Sequence, residues 1–249
     1  MENDHIIDLN RLKEMRVELT RFMMAYKFAC DEINTKINIL SDEFNYIHDY
    51  NPIEHVKSRV KSPESIFKKV LRKGYDFSLD SIRENIRDIA GVRITCSFIS
   101  DIYVLSDMLK NQGDIKIVEV KDYIKNPKPN GYQSLHMIVE IPIFMTDRTE
   151  NTYVEIQIRT IAMDFWASLE HKIYYKYNKE IPERLANELR NAAVVAAELD
   201  RKMEQLQKEV SAIKEENEEE TGLAFLENGQ IPTILMKTLS EYQKKIEQE

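Results

Sequence analysis

The sequence predicts a sheet domain of the α/β or α+β class with helical additions at both ends. Residues 91–98 and 153–159 alternate apolar and polar side chains with the period of a strand. Apolar residues at helical spacing run through residues 6–50 and again through 185–210. Between these ends, helical and strand-like stretches interleave, the arrangement of a sheet flanked by helices.

Taken in order, Ile6, Leu9, Leu12, Met15, Leu19, Phe22, Met23 and Tyr26, then Ile33, Ile37 and Leu40, read as two helices that Asn51-Pro52 ends. Ser62 as N-cap with Pro63 at the first helical position opens the next helix, and Gly74 closes it. Its outward side carries Ser65, Lys69 and Arg72, continuing from Lys61; its buried side carries Ile66, Phe67, Val70 and Leu71. A strand over 91–98 turns Val92, Ile94, Cys96 and Phe98 to one face. A helix over 101–111 and strands over 115–120 and 135–141 follow, and the strand over 153–159 sets Val154, Ile156 and Ile158 against Glu155, Gln157 and Arg159. Beyond Thr160 the pattern is helical again. Leu185, Leu189, Ala192, Val195, Leu199, Met203, Leu206 and Val210 form a heptad-like stripe, suited either to the chain's own core or to another subunit. Trp166, Tyr174, Tyr175 and Tyr177 read as packing residues. The expected organisation is N-terminal helices over 1–50, a sheet domain over 51–178, a C-terminal helix over 179–213 and an acidic extension over 214–249.

Composition excludes several classes. The chain has 249 residues, 43% hydrophobic and 31% charged, with 6 Gly and 7 Pro, which describes a globular protein rather than a disordered or collagen-like one. The longest stretch without Asp, Glu, Lys or Arg is 129–139, far short of the roughly 18 apolar residues that would suggest a membrane span. Met1-Glu-Asn-Asp-His has neither the basic start nor the apolar run of a secretory signal, so a cytoplasmic protein without membrane contact is expected. Cys30 and Cys96, with no CxxC, exclude a disulfide scaffold and a cysteine-rich zinc site. The net charge of −8 disfavours general nucleic-acid binding. Within that acidic chain, Lys57, Arg59, Lys61, Lys68, Lys69, Arg72 and Lys73 stand against the single acid Glu64, a positive focus the size of a phosphate group.

Three constellations could carry chemistry. The basic helix start from Arg59 to Lys69 offers free backbone N–H groups beside Lys, Arg and Ser side chains, a natural anion site, although a solvated charged face would look the same. The segment Lys121-Asp-Tyr-Ile-Lys125-Asn-Pro-Lys128-Pro-Asn130-Gly131-Tyr132-Gln-Ser-Leu-His136 is a long turn-rich loop with lysines for phosphates and an aromatic face for a base. Its bland alternative is a polar hairpin with Tyr132 and His136 tucked into the core. Asp88 and Glu155, among these cations, suit Mg²⁺, which takes one or two carboxylates together with substrate phosphates. The alternative is two surface acids in ordinary ion pairs. Strict alternation would also put Asp88 and Arg93 on opposite faces, so Gly91 or a helix-to-strand junction must reset the register if both serve one site.

In order along the chain, Arg59-x-Lys61-x3-Ser65-x3-Lys69, Arg87-Asp88-Ile-Ala-Gly-Val-Arg93, the Lys121 to His136 segment and Val154-Glu155-Ile-Gln157-Ile-Arg159-Thr closely resemble the RelA/SpoT-type alarmone synthetase domain. The match covers roughly residues 50–178. The resemblance implies an α+β fold, a mixed β-sheet flanked by helices and related to polymerase-β-like nucleotidyltransferases. It implies transfer of the β,γ-pyrophosphate of ATP to the ribose 3′-hydroxyl of GDP or GTP, with AMP released. Carried over, Arg59 and Arg93 would sandwich the adenine and Lys61, Ser65 and Lys69 would hold the ATP phosphates. Asp88 and Glu155 would be the Mg²⁺ ligands and catalytic carboxylates, with Glu155 orienting or deprotonating the attacking hydroxyl. Tyr132 would stack on guanine, with Lys121, Lys128, Asn130, His136 and Gln157 around the acceptor. The chain looks like a small stand-alone synthetase, since it shows neither the His…His-Asp cluster of the hydrolase domain nor ribosome-sensing C-terminal domains. Such proteins are often homotetramers assembled through terminal helices, which gives the 185–210 stripe an interface reading. Two other readings stand beside it: a catalytically quiet nucleotide- or RNA-binding regulator with the same pockets, and a polymerase-β-type transferase that adds nucleotides to an RNA end or a small molecule. RNA binding is left open.

Overall fold

The computed structural model describes residues 9–48, 50–176 and 182–221. Its elements run α1 (Leu9–Ile47), β1 (Ile53–Val60), α2 (Pro63–Lys73), α3 (Leu79–Asn85), β2 (Ala90–Cys96), α4 (Ile99–Lys110), β3 (Lys116–Asp122), β4 (Leu135–Phe144), β5 (Thr149–Thr160), α5 (Ile161–Lys176) and α6 (Glu183–Thr221). The five strands form one sheet in the order β1-β2-β5-β4-β3. Every neighbouring pair is antiparallel except β2 and β5, which run parallel at its centre. This is the mixed sheet flanked by helices that the resemblance implies.

One face of the sheet is the core. Val92 and Ile94 of β2, Met137 and Val139 of β4, and Val154, Ile156 and Ile158 of β5 are almost wholly buried. They join Phe22, Tyr26, Ala29, Ile33 and Ile37 of α1 and Ile102, Leu105 and Leu109 of α4 in a single apolar cluster. The spacing of these α1 residues places them on one side of a helix, as the sequence predicts. Where two N-terminal helices were expected, however, one 39-residue helix forms. No Gly or Pro falls between Leu9 and Ile47, so nothing breaks the backbone ladder before Asn51-Pro52. Asn51 then pins the turn, donating through Nδ2 to the Ser41 carbonyl and accepting at Oδ1 from the Ile53 amide.

The α2 caps fall where the sequence puts them: Ser62 accepts from the Ser65 amide and Gly74 adopts φ 68°, the left-handed C-cap that favours glycine. Ile66 and Val70 face the core, but Leu71 is 66% exposed, because the helix lies at the sheet margin and only a narrow stripe meets the core. Two elements escape periodicity altogether. Strand β1 is an edge strand with only Ile53 buried, so it shows no alternation of apolar residues. Helix α3 has seven residues, too few for a helical pattern to emerge.

At the other end, α5 packs against β5 and β2, and α6 packs against α5 and α4. Trp166, Ala167 and Ala193 form a second small cluster against Tyr132 and Ala196, and Trp166 Nε1 donates to the Leu189 carbonyl at 3.0 Å, so Trp166 is a packing residue. Helix α6 uses a face of small residues to do this, Ala193 and Ala197, with Asp200 Oδ2 accepting a hydrogen bond from Thr160 Oγ1 at 2.5 Å. The heptad-like stripe lies elsewhere on the helix and is open to solvent: Val195 is 64% and Leu199 56% exposed, with Met203, Leu206 and Val210 alike. From Val195 onward the core reading of that stripe therefore fails, while Leu185 and Leu189 are half-buried. Tyr174, Tyr175 and Tyr177, residues 1–8 and the acidic extension from residue 215 on lie outside the residues whose side chains are described.

Candidate active site

The face of the sheet turned away from α1 is polar, and strand register explains why. Cross-strand neighbours project to the same face. Arg59, Gly91, Glu155 and Ile138 form one rung across β1, β2, β5 and β4, and Lys57, Arg93, Gln157, His136 and Lys121 form the next, reaching β3. Residues that are distant in sequence thus become one row. Gly91 adds no side chain to the first rung, leaving open floor between Arg59 and Glu155; a Cβ there would sit 3.9 Å from Arg59 Cγ. A cleft of about 230 Å³ results, lined by Lys57, Ser58, Arg59, Asp88, Gly91, Val92, Arg93, Glu155 and Gln157.

Asp88 enters this cleft from outside the strands. It sits in the turn between α3 and β2, so strand alternation does not constrain it and the conflict with Arg93 disappears. The Lys61 amide donates to the Ile89 carbonyl at 2.8 Å, which carries the β1–β2 pairing around the corner and sets Lys61 over Asp88. Asp88 Oδ2 accepts from Lys61 Nζ at 2.7 Å and from Lys69 Nζ, on α2, at 2.8 Å. Its other oxygen, Oδ1, is buried and has no protein partner. Burial alone would raise this carboxyl, yet the two ammonium groups outweigh it and hold Asp88 below the ordinary range.

Glu155 is anionic for a similar balance. Burial pushes it up, while the contact with His136 and the hydrogen bond from Gln157 pull it down to a net lowered value. Gln157 Nε2 donates to Oε2 at 2.8 Å and His136 Nδ1 lies 3.4 Å from Oε1. The negative charge of Asp88 acts on Glu155 in the opposite sense, so the two carboxylates share one electrostatic environment. An orphaned buried oxygen beside a second ionised carboxylate is a hard-oxygen donor pair that fits a divalent cation. Among the described residues no third His, Cys, Asp or Glu completes a metal cage.

The remaining predicted residues fall around this centre. His136 Nε2 shares a 2.7 Å hydrogen bond with the Tyr132 hydroxyl. Lys128 Nζ lies 4.8 Å from the Tyr132 ring centre and 4.5 Å from that of Tyr123. Asn130 donates to Glu170 of α5 at 3.1 Å, and Lys121 pairs with Glu119 at 3.0 Å at the outer end of its rung. Ser65 sits on the exposed first turn of α2, sharing a hydrogen bond with Ser62, and does not line the cleft. Four further residues belong to the constellation. Lys57 comes from the strand that periodicity missed. Tyr123 lies inside the loop motif. Arg159 ends the β5 motif, and Asp164 follows five residues later with no short motif to mark it.

The lowered carboxyl of Asp88 sets a pH expectation. A carboxyl depressed on folding contributes stability above its unfolded value, near 3.8, and loses it as the pH falls through the lower folded value. The melting temperature is therefore expected to owe nothing to Asp88 titration between neutrality and about pH 4 and to fall below it. Asp88→Asn should shallow that acid-side fall, as read by thermal melting across pH.

Clustered cations beside two ionised carboxylates fit a polyphosphate and a divalent cation, the equipment of a nucleotide-dependent transferase. Residues 58–180 match the family described as the region found in RelA / SpoT proteins. Over 205 residues the chain is 55% identical to GTP pyrophosphokinase YwaC of Bacillus subtilis (strain 168), covering 82% of this chain and 98% of that protein. The crystal structure of small alarmone synthetase 2 from Bacillus subtilis superposes with a TM-score of 0.71 at 56% identity, covering 77% of this chain and 99% of that one. That of small alarmone synthetase 1 from Bacillus subtilis bound to its product pppGpp gives a TM-score of 0.72 at 38% identity, over 78% and 98%. The chain belongs to the RelA/SpoT family, among its small alarmone synthetases.

Proposed function

We propose that this chain transfers the β,γ-pyrophosphate of ATP to the ribose 3′-hydroxyl of GDP or GTP, forming ppGpp or pppGpp and releasing AMP in the stringent response. The observation that carries the reading is the Asp88 carboxylate, pinned by two lysines through one oxygen and bare at the other, in the same cleft as an ionised Glu155. Asp88 and Glu155 would hold Mg²⁺, which when bound neutralises part of the charge on the transferred phosphates. Lys61 and Lys69 hold Asp88 in place and are close enough to the metal site to share the phosphate charge. Arg59 and Arg93, on adjacent rungs of neighbouring strands, flank the donor base, while Ser65, on the first turn of α2, joins Lys61 and Lys69 in holding the ATP phosphates. Tyr132 offers its ring to the guanine, and Lys121, Lys128, Asn130, His136 and Gln157 surround the acceptor.

The reaction is an in-line displacement. The 3′-oxygen attacks the β-phosphorus, the bond to the bridging oxygen of the α-phosphate breaks, and AMP departs with that oxygen. Glu155 accepts a hydrogen bond from the 3′-hydroxyl and takes its proton as the new bond forms. Two fixed nucleotide sites supply the orientation and the cluster of cations supplies the charge compensation. Incubation with Mg²⁺, γ-labelled ATP and GDP or GTP, resolved by thin-layer chromatography, should move the label into a guanine nucleotide with AMP released. Saturable binding without turnover would leave the quiet regulator, and AMP incorporation with free pyrophosphate would leave the other transferase.

The bare stripe on α6 supports assembly into a homotetramer through terminal helices. Leu199→Glu, which places a charge in that stripe and touches no cleft residue, is expected to lower the solution mass measured by light scattering while the monomer stays folded. Among the described residues no helix is long and apolar enough to cross a membrane, and nucleotide substrates support a cytoplasmic reading.

A further inference from the structure

Between the donor and acceptor sides of the cleft stands a carboxylate that the proposed chemistry does not use. Asp164, on the first turn of α5, accepts at the same oxygen, Oδ1, from Arg93 Nη1 at 3.3 Å and from Arg159 Nη1 at 3.1 Å. Arg159 is 4% exposed and spends its other terminal nitrogen on the acceptor side. That Nη2 donates to the Tyr132 hydroxyl at 2.6 Å and to Gln157 Oε1 at 2.9 Å, and the guanidinium lies 5.0 Å from the Tyr132 ring centre. A continuous chain of charged hydrogen bonds thus runs Arg93, Asp164, Arg159, Tyr132, from the residue beside the donor base to the residue beside the acceptor base.

Among the described residues Asp164 is the only carboxylate paired with either guanidinium. Arg93 Nε and Arg159 Nε are buried without a partner. Without Asp164 they would face each other as like charges in a partly desolvated site, and the field of Arg159 already disfavours the charged form of Arg93 after burial itself. One shared oxygen means the two arginines cannot settle independently: fixing one narrows the positions open to the other.

We infer that Asp164 is a positioning residue that couples the two nucleotide sites, so that a donor base resting on Arg93 orders Arg159 and Tyr132 for the acceptor, and the acceptor does the same for the donor. The coupling is reciprocal by thermodynamic necessity, and it needs no large movement, because the first nucleotide bears the ordering cost that the second then avoids. The inference rests on the functional reading above and adds a property which that reading does not require.

The test is equilibrium binding of α,β-methylene ATP, in which the bond to be broken is blocked, measured with and without saturating GDP. The wild-type protein should bind it at least about 5-fold more tightly in the presence of GDP. Asp164→Asn should bring that ratio close to one, and Asp164→Glu, which keeps the charge, should restore part of it. A residue of merely structural importance would lower stability or both affinities without changing the ratio. Arg93→Gln cuts the same link from the donor side, on a partly exposed side chain, and should also bring the ratio close to one; it decides the matter if Asp164→Asn does not fold. Absence of coupling in the wild type, or its survival in the variants, overturns the inference. Wild-type turnover of ATP and GDP, measured alongside, separates that result from a failure of the functional reading.

Discussion

Glu155→Gln should leave a folded protein that binds both nucleotides and makes almost no alarmone. The side chain stands on the central parallel pair of the sheet, where Gln157 and His136 hold it, and glutamine keeps its shape and one carbonyl acceptor. What it removes is the negative charge and the capacity to accept a proton. Loss of a positioned general base costs about 100-fold to 10,000-fold in rate, and loss of half the donor set for a divalent cation adds to it. The drop should appear in kcat, because Arg59, Arg93 and Tyr132 are untouched. A melting temperature within a few degrees of wild type with turnover reduced less than 10-fold would remove Glu155 from the chemistry.

Gly131→Ala is expected to have the second-largest effect, through backbone and packing rather than charge. Gly131 has φ 91°, which L side chains rarely adopt, and a Cβ added there would lie 2.5 Å from the Ala193 Cβ on α6. The left-handed conformation costs about 1–2 kcal/mol for a non-glycine residue, and overpacking typically costs 1–3 kcal/mol more. The loop cannot simply lift away, because Arg190 Nε holds the Pro129 carbonyl at 2.9 Å and Trp166 fills the space beneath. Tyr132, the next residue, therefore shifts. The KM for GDP or GTP should rise roughly tenfold or more, since about 1.4 kcal/mol is a factor of ten, and by more than the KM for ATP. Pairing it with Ala193→Gly should recover the steric part alone. An unchanged acceptor KM would show that the loop does not present Tyr132 to the acceptor.

The pattern of what could be read from the chain follows from burial. Where a strand is covered on one face, as β2 and β5 are, alternation reports it directly. Where an element lies at the sheet edge, as β1 does, or is as short as α3, no apolar pattern emerges and the sequence carries no sign of it. Site residues divide in the same way. Arg59, Asp88, Arg93, Glu155 and Gln157 were legible as polar residues in ordered motifs; strand register brings four of them into one cleft and the turn before β2 adds Asp88. Asp164 was not legible. Its meaning arises only where α5 turns back over the sheet and sets one acid between two arginines whose residues lie on adjacent strands. Leu71 misled for the converse reason, because an apolar residue at the edge of a buried stripe looks the same in sequence whether or not a neighbour arrives to cover it.

The parallel pairing of β2 with β5 has a consequence for how the protein comes into being. Two parallel neighbours cannot be joined by a tight hairpin, and here the connection contains α4, β3 and β4. Asp88 and Glu155 meet only after that whole excursion has been made and laid down. A chain that ends before β5 carries Lys61, Lys69 and Asp88 without the second carboxylate. Fragments that lack β5 are therefore expected to make no alarmone.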